Sequence, residues 1–206
     1  MSNSQVRLVQ AVAKPRAKVL FLGYSEAETK LIAALSSVGC EVWHAKEKLT
    51  SIGSYDLIVS FGYQHIISKG IIASVGAPIV NLHISYLPWN RGAHPNFWSF
   101  FDETPNGVTI HLIDEGLDTG PILYQRKIVF SSEEETFFST YGKLVGEIED
   151  LFISHIYSII KKDFIPLPQE GKGSYHRSSD LPREFLGWHS NIKLEIDRLR
   201  KIPRMK

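Results

Sequence analysis

Three short, strongly apolar runs govern what this chain can fold into: Lys18 to Gly23 (KVLFLG), Tyr55 to Phe61 (YDLIVSF) and Pro78 to Ile84 (PIVNLHI). A strand with one wet face alternates apolar and polar residues. A run that is apolar nearly throughout has to be dry on both faces, so it belongs to a sheet covered on both sides. Helical patterns lie between the runs. Glu26 to Val38 carries Leu31, Ile32, Ala34, Leu35 and Val38 on one helical face, with Gly39 placed to end it. Glu41 to His44 reads as a further strand, and Ile66 to Ile72 as a short helix.

This β-α-β-β-α-β order predicts an α/β, Rossmann-like doubly wound, mostly parallel sheet with helices on both faces. The second half predicts a helix over Gly92 to Phe101. Strands Val108 to Ile113 and Pro121 to Phe130 then flank the loop 114–120. Glu133 to Lys162 reads as one long helix, with Ser131 and Ser132 as hydroxyl caps and Glu133 to Glu135 at its positive end. Beyond Pro166 the chain turns polar, includes GKGSYHRSSDLP (171–182), and closes on an amphipathic stretch at Ser190 to Arg200. The expected division is a flexible N-terminus at 1–17, a catalytic domain at 18–165, and a helical and loop extension at 166–206 packing on or near it.

Composition narrows the function. Lys+Arg 23 against Asp+Glu 22 is too balanced for a protein that grips a phosphate backbone, so nucleic acid is not an expected partner. The single Cys40 excludes an intrachain disulfide and a cysteine metal cluster. No run approaches the roughly 18 apolar residues of a membrane span, and Met1 to Ala17 lacks the continuous apolar core of a secretory signal. A soluble, cytoplasmic protein is expected.

Polar groups concentrate in two segments beside apolar strands. In Asn81-Leu-His83-Ile-Ser85, Asn81 and His83 are two apart at the carboxyl end of a strand, so they share a face. Ligands of doubly wound sheets sit outside those ends. The second segment runs from Gly107-Val-Thr-Ile-His111 into the acidic loop Asp114-Glu-Gly-Leu-Asp118-Thr-Gly-Pro121. An amide, an imidazole and a carboxylate in one pocket suit acyl transfer. The imidazole relays a proton from an attacking amine. The amide donates to the oxygen that becomes negative. The carboxylate holds the imidazole in one tautomer and favours its charged form.

The motifs N-L-H-x-S-x-L-P-x-x-R-G, G-V-T-I-H and D-E-G-L-D-T-G-P-I-L resemble the formyltransferases that use 10-formyltetrahydrofolate, over roughly Lys18 to Phe130. The resemblance implies Asn81, His83 and Asp118 as catalytic residues, 10-formyltetrahydrofolate as co-substrate and no metal. It also implies pterin contacts from Gly62, Gln64, His65, Ile66 and Ile67 and from Ile113, Asp114, Gly116 and Leu117. Asp114 serves either an Asx turn or the folate. His111 is read as a packed structural histidine.

Acceptor-side candidates are Tyr86, Arg91, Asn96 and Trp98. Arg91 binds either an acceptor phosphate or an acidic neighbour, and Asn96 or Trp98 edges the pocket. The acceptor is read as a primary amine on a nucleotide-linked amino sugar of surface polysaccharide. The aromatic run around Trp89 to Trp98 favours this, and Gly23-Tyr-Ser-Glu-Ala lacks the glycine-rich turn of glycinamide ribonucleotide formyltransferases. Only about 75 residues follow Phe130, and a long helix uses many of them. This leaves little for the tRNA-engaging domain of methionyl-tRNA formyltransferases. Other readings are a metal-dependent hydrolase built on His83, His111 and Asp118, an idle folate-binding module, and hydrolysis of the formyl group. A homodimer through the long helix and tail is also an expectation.

Overall fold

The structure, a computed structural model, describes residues 5–131 and 133–202. Seven strands form one sheet: β1 (Arg7–Gln10), β2 (Lys18–Gly23), β3 (Glu41–Ala45), β4 (Leu57–Phe61), β5 (Ile79–His83), β7 (Gly107–Leu112) and β8 (Ile122–Lys127). Two short strands, β6 (Arg91–Gly92) and β9 (Tyr175–His176), pair with each other outside it. The helices are α1 (Leu31–Ser37), α2 (Lys69–Ser74), α3 (Pro95–Phe101), α4 (Phe137–Ser154), α5 (Ile156–Lys161) and α6 (Ile192–Lys201).

The strand order is β1-β3-β2-β4-β5-β7-β8. Strands β3, β2, β4 and β5 are mutually parallel, and two successive antiparallel pairings return β8 to the same direction. Only β1 and β7 run against the rest. This is the doubly wound α/β sheet that the apolar runs require.

The two-residue period of β2 builds both layers. Val19 and Phe21 pack with α1 and α4, through Leu31, Leu35, Leu144, Ile148 and Phe152. Leu20 and Leu22 face the opposite layer with Ile58, Ile79 and, from the α2 side, Ile67 and Ile72. At roughly 1.5–3 kcal/mol per fully buried large aliphatic side chain, either layer would suffer if the strand slipped by one residue. A third cluster joins Phe97, Trp98 and Phe101 of α3 to Phe137 and to Ile192, Ile196 and Leu199. The tail helix α6 is therefore seated on α3.

Several sequence expectations are corrected. Within 1–17, expected from the sequence to be flexible, Arg7–Gln10 forms β1, an edge strand antiparallel to β3; residues 1–4 lie outside the described range. The first helix begins at Leu31, because Glu28 turns back to accept from Ser25 N and Oγ at 3.0 and 2.7 Å. The long helix starts at Phe137 with Thr136 as its cap. Ser139 N donates to Thr136 Oγ1 at 3.0 Å, and Thr136 N donates to Ser139 Oγ at 2.9 Å. This reciprocal pair displaces the expected cap at Ser131 and Ser132, of which Ser132 lies outside the described residues. The same helix breaks at His155, whose ring stacks on Tyr124 with centroids 3.7 Å apart. Arg91 and Gly92 form β6 instead of opening the next helix, which starts at Pro95.

Candidate active site

The register between β5 and β7 assembles the site. Val80 and Leu82 of β5, and Val108 and Ile110 of β7, point into the layer under α4. By alternation Asn81 and His83, with Thr109 and His111, occupy the other face. Antiparallel pairing sets Asn81 opposite His111 and His83 opposite Thr109. Four polar side chains thus cluster where the apolar face of the sheet ends.

Asp118 returns over this cluster from the loop after β7. Its backbone is left-handed, with φ 53°, a conformation uncommon outside glycine and often found at functional sites. Oδ1 accepts from Asn81 Nδ2 at 3.3 Å and lies 3.6 Å from His111 Nε2. Oδ2 accepts from the Gly92 N–H at 2.9 Å and lies 3.8 Å from His83 Nδ1. The three residues singled out in the sequence therefore meet around one carboxylate. Burial pushes the Asp118 carboxyl up, but the His83 and His111 rings in their protonated forms, together with the Gly92 N–H, outweigh it and hold the group below the ordinary carboxylate range.

The tautomer of His83 follows from its other partner. His83 Nε2 lies 3.1 Å from the Asn90 carbonyl, which can only accept, so Nε2 carries the proton and donates. In the neutral ring Nδ1 is then left with a lone pair beside Asp118 Oδ2. The expectation that the aspartate selects the tautomer is corrected: Asn90 selects it, and Asp118 is placed to stabilise the ring once Nδ1 takes a proton. The same logic applies to His111, whose Nδ1 donates to Leu112 O at 2.8 Å, leaving Nε2 to accept from Asn81 Nδ2 at 3.1 Å. His111 is buried, and beyond packing it anchors the Asn81 amide.

The two segments expected around a pterin converge. Ile67 and Ile113 share one apolar cluster, and Lys69 Nζ pairs with Glu115 across 2.7 Å. Ile66 is 78% exposed and Leu117 is 43% exposed, so each offers uncovered apolar surface. Gly62 is left-handed beneath the Tyr24 ring, and His65 packs edge-on to Tyr63, with Gln64 exposed between them. Asp114 takes the turn role: its Oδ1 accepts from Gly116 N at 2.9 Å and from Thr119 Oγ1 at 2.7 Å.

The acceptor-side candidates separate. Among the described residues Arg91 pairs with no acidic neighbour; its Nε and Nη2 donate to Gln169 Oε1 at 3.0 and 2.7 Å. Tyr86 packs over Gly107. Asn96 is buried and committed to structure, donating to Phe137 O at 2.8 Å and accepting from Thr140 Oγ1 at 3.0 Å. Trp98 is buried with its ring stacked on His176 at 3.9 Å. Neither Asn96 nor Trp98 edges an open pocket, because α6 and the tail cover α3. Among the described residues, no group of three His, Cys, Asp or Glu side chains can hold a metal ion, and no helix is long and apolar enough to cross a membrane.

Sequence reasoning missed Asn90, Gln169 and Ser174. Asn90 is fully buried and left-handed; its N–H donates to Ser174 Oγ at 2.8 Å and its Nδ2 to Thr104 Oγ1 at 2.7 Å. The spacing of Asn90 within the L-P-W-N-R-G run carried a signal, but Gln169 and Ser174 lie far away in a polar tail and carried none.

Residues 24–152 match the formyl transferase family. The chain is 37% identical over 150 residues to the methionyl-tRNA formyltransferase of Thermodesulfovibrio yellowstonii, covering 71% of this chain and 47% of that protein. It is 31% identical over 163 residues to the dTDP-4-amino-4,6-dideoxyglucose formyltransferase of Mycobacterium tuberculosis, covering 79% and 61% respectively. It thus spans about half to three-fifths of these relatives. The crystal structure of the formyltransferase PseJ from Anoxybacillus kamchatkensis, in complex with UDP-4,6-dideoxy-4-formamido-L-AltNAc and tetrahydrofolate, superposes with a TM-score of 0.80. It is 40% identical, over 85% of this chain and 96% of that one. The sheet, the polar cluster at its edge and these likenesses agree, and the chain belongs to the formyl transferase family.

Proposed function

We propose that this protein transfers a formyl group from 10-formyltetrahydrofolate to the amine of a nucleotide-linked amino sugar, with Asn81, His83 and Asp118 at the reacting centre. The observation that carries the reading is the geometry at His83, whose Nδ1 lies 3.8 Å from the buried Asp118 carboxylate while Nε2 is held by the Asn90 carbonyl. The folate supplies the formyl carbon. As the amine attacks the formyl carbon, His83 Nδ1 accepts the proton it gives up and Asp118 stabilises the imidazolium. Collapse of the intermediate breaks the bond from that carbon to the folate nitrogen, which leaves with the proton His83 returns. Asn81 donates to Asp118 and His111 at rest. To donate to an oxygen gaining negative charge, the Asn81 amide releases one of these two partners. Gly62 to Ile67 and Ile113 to Leu117 form the walls for the pterin, with Ile66 and Leu117 as its apolar contacts.

Two features favour the sugar nucleotide as acceptor. The PseJ complex, similar along nearly its whole length, holds such a molecule. The turn after β2 is also closed by its own carboxylate. Glu28 accepts from Ser25 N and Oγ, so its carboxylate occupies the donors of this turn instead of leaving them to a phosphate. This disfavours glycinamide ribonucleotide.

Incubating the protein with 10-formyltetrahydrofolate and a panel of UDP- and dTDP-linked 4-amino sugars, glycinamide ribonucleotide and methionyl-tRNA tests the reading. A formylated sugar nucleotide, detected by mass, is expected. Formylation of either of the other acceptors alone overturns the acceptor assignment, and free formate without amide product indicates hydrolysis.

A further inference from the structure

The tail motif 171–182 and Gln169, two residues before it, lie far along the chain from the catalytic segments, yet the fold brings them to the site. Gln169 lies beyond the family match at 24–152. Its Nε2 donates to the Asp118 carbonyl at 2.8 Å and to the Gly120 carbonyl at 2.9 Å, while its Oε1 accepts both Arg91 bonds. A guanidinium only donates and a carbonyl only accepts, so this amide has one allowed orientation, with both hydrogens and both oxygen lone pairs in use.

Gln169 spans the two halves of the site. Arg91 precedes Gly92, whose N–H holds the Asp118 carboxylate. Asp118 is in turn gripped at both ends, at its carboxylate by Asn81 and Gly92 and at its carbonyl by Gln169. That double grip opposes relaxation of its left-handed backbone. The following clasp reinforces it: Ser174 Oγ accepts from Asn90 N, and β9 pairs with β6.

We propose that Gln169 is a positioning residue for the formyl-transfer reaction, fixing Asp118 against His83 through the Asp118 carbonyl; this rests on the function proposed above. Because Gln169 is neutral, it leaves the Arg91 charge uncompensated: among the described residues the guanidinium meets an amide and no carboxylate. The bound charge is then available to an anionic acceptor.

The test uses the full-length protein with Gln169→Met, which keeps length and volume but loses every hydrogen bond, and Gln169→Glu, which keeps the acceptor for Arg91 but loses both donors. Histidine side-chain 15N NMR, with His83→Asn and His111→Asn assigning the signals, reads the site without requiring turnover. In both Gln169 variants the ring signals of His83 and His111 are expected to move. The kcat should fall about tenfold or more, with KM for the folate within about twofold, since a misplacement near 1 Å can cost up to about a hundredfold. In Gln169→Glu, KM for the acceptor should rise as well. Ring signals identical to wild type overturn the proposal, as does wild-type kcat in Gln169→Met. Shifted signals in a protein that formylates no acceptor, wild type included, support the positioning and refute the proposed function instead. If Gln169→Met fails to fold, Gln169→Ala is read in the same way.

Discussion

The Gly92 N–H donates to Asp118 Oδ2 across 2.9 Å, so a carboxylate from one loop is anchored by the backbone of another. Gly92 reaches that position with φ 87°, and a Cβ there would stand 2.3 Å from the His176 carbonyl. The glycine is needed for both reasons, as it sits in the left-handed region and directly under the tail strand.

Gly92→Ala should therefore disturb the β6–β9 pairing and the Asp118 anchor together. A stability loss of roughly 1–3 kcal/mol is expected from the strained backbone, with formyl transfer lost more steeply than stability. Urea unfolding alongside a turnover assay checks this, and a fully active, fully stable variant would refute it.

His83→Ala removes the proposed proton acceptor while leaving in place the apolar walls proposed for the folate. Transfer should fall roughly 10²–10⁴-fold, with binding of a non-reactive folate analogue changed little. Calorimetric titration of the analogue beside initial rates separates the two effects.

Asp118→Asn probes the charge. The Asp118 carboxyl titrates lower in the folded chain than the roughly 3.9 of an unfolded aspartate. Its stabilising contribution is then fully present above about pH 4 and fades as pH falls toward the folded value. The wild-type melting temperature should drop more steeply than that of Asp118→Asn below about pH 4. Parallel curves would show that the charge contributes nothing to folding.

Asn96→Ala should behave as a structural lesion. It removes one buried bond each from the Phe137 carbonyl and the Thr140 hydroxyl, both of which keep other partners, at a cost of roughly 0.5–1.5 kcal/mol per bond. The KM for the acceptor should hold within about twofold of wild type. A large rise in that KM without a loss of stability would return Asn96 to the acceptor pocket.

Much of the architecture was legible because the sheet's requirements are local. Runs such as KVLFLG are dry on both faces wherever they sit in a doubly wound fold, and the two-residue step from Asn81 to His83 puts both on one face of any strand. Helix ends were less legible. The start of α4 turned on a hydroxyl exchange between Thr136 and Ser139, and two serines upstream present the same chemistry to a reader of the sequence. The edge strand β1 was missed because half of its surroundings are solvent, which leaves no apolar run to read.

By itself the sequence determined the β-α-β frame, the face shared by Asn81 and His83, and an aspartate-bearing loop after a strand, since each of these depends on residues close together along the chain. Only the tertiary structure decided that Asn90 selects the His83 tautomer, that Asn96 and Trp98 are buried beneath the tail, and that Gln169 links Arg91 to Asp118. Those outcomes depend on hydrogen bonds between residues as much as 78 positions apart, and neither periodicity nor spacing encodes which donor will find which acceptor once the chain has closed on itself.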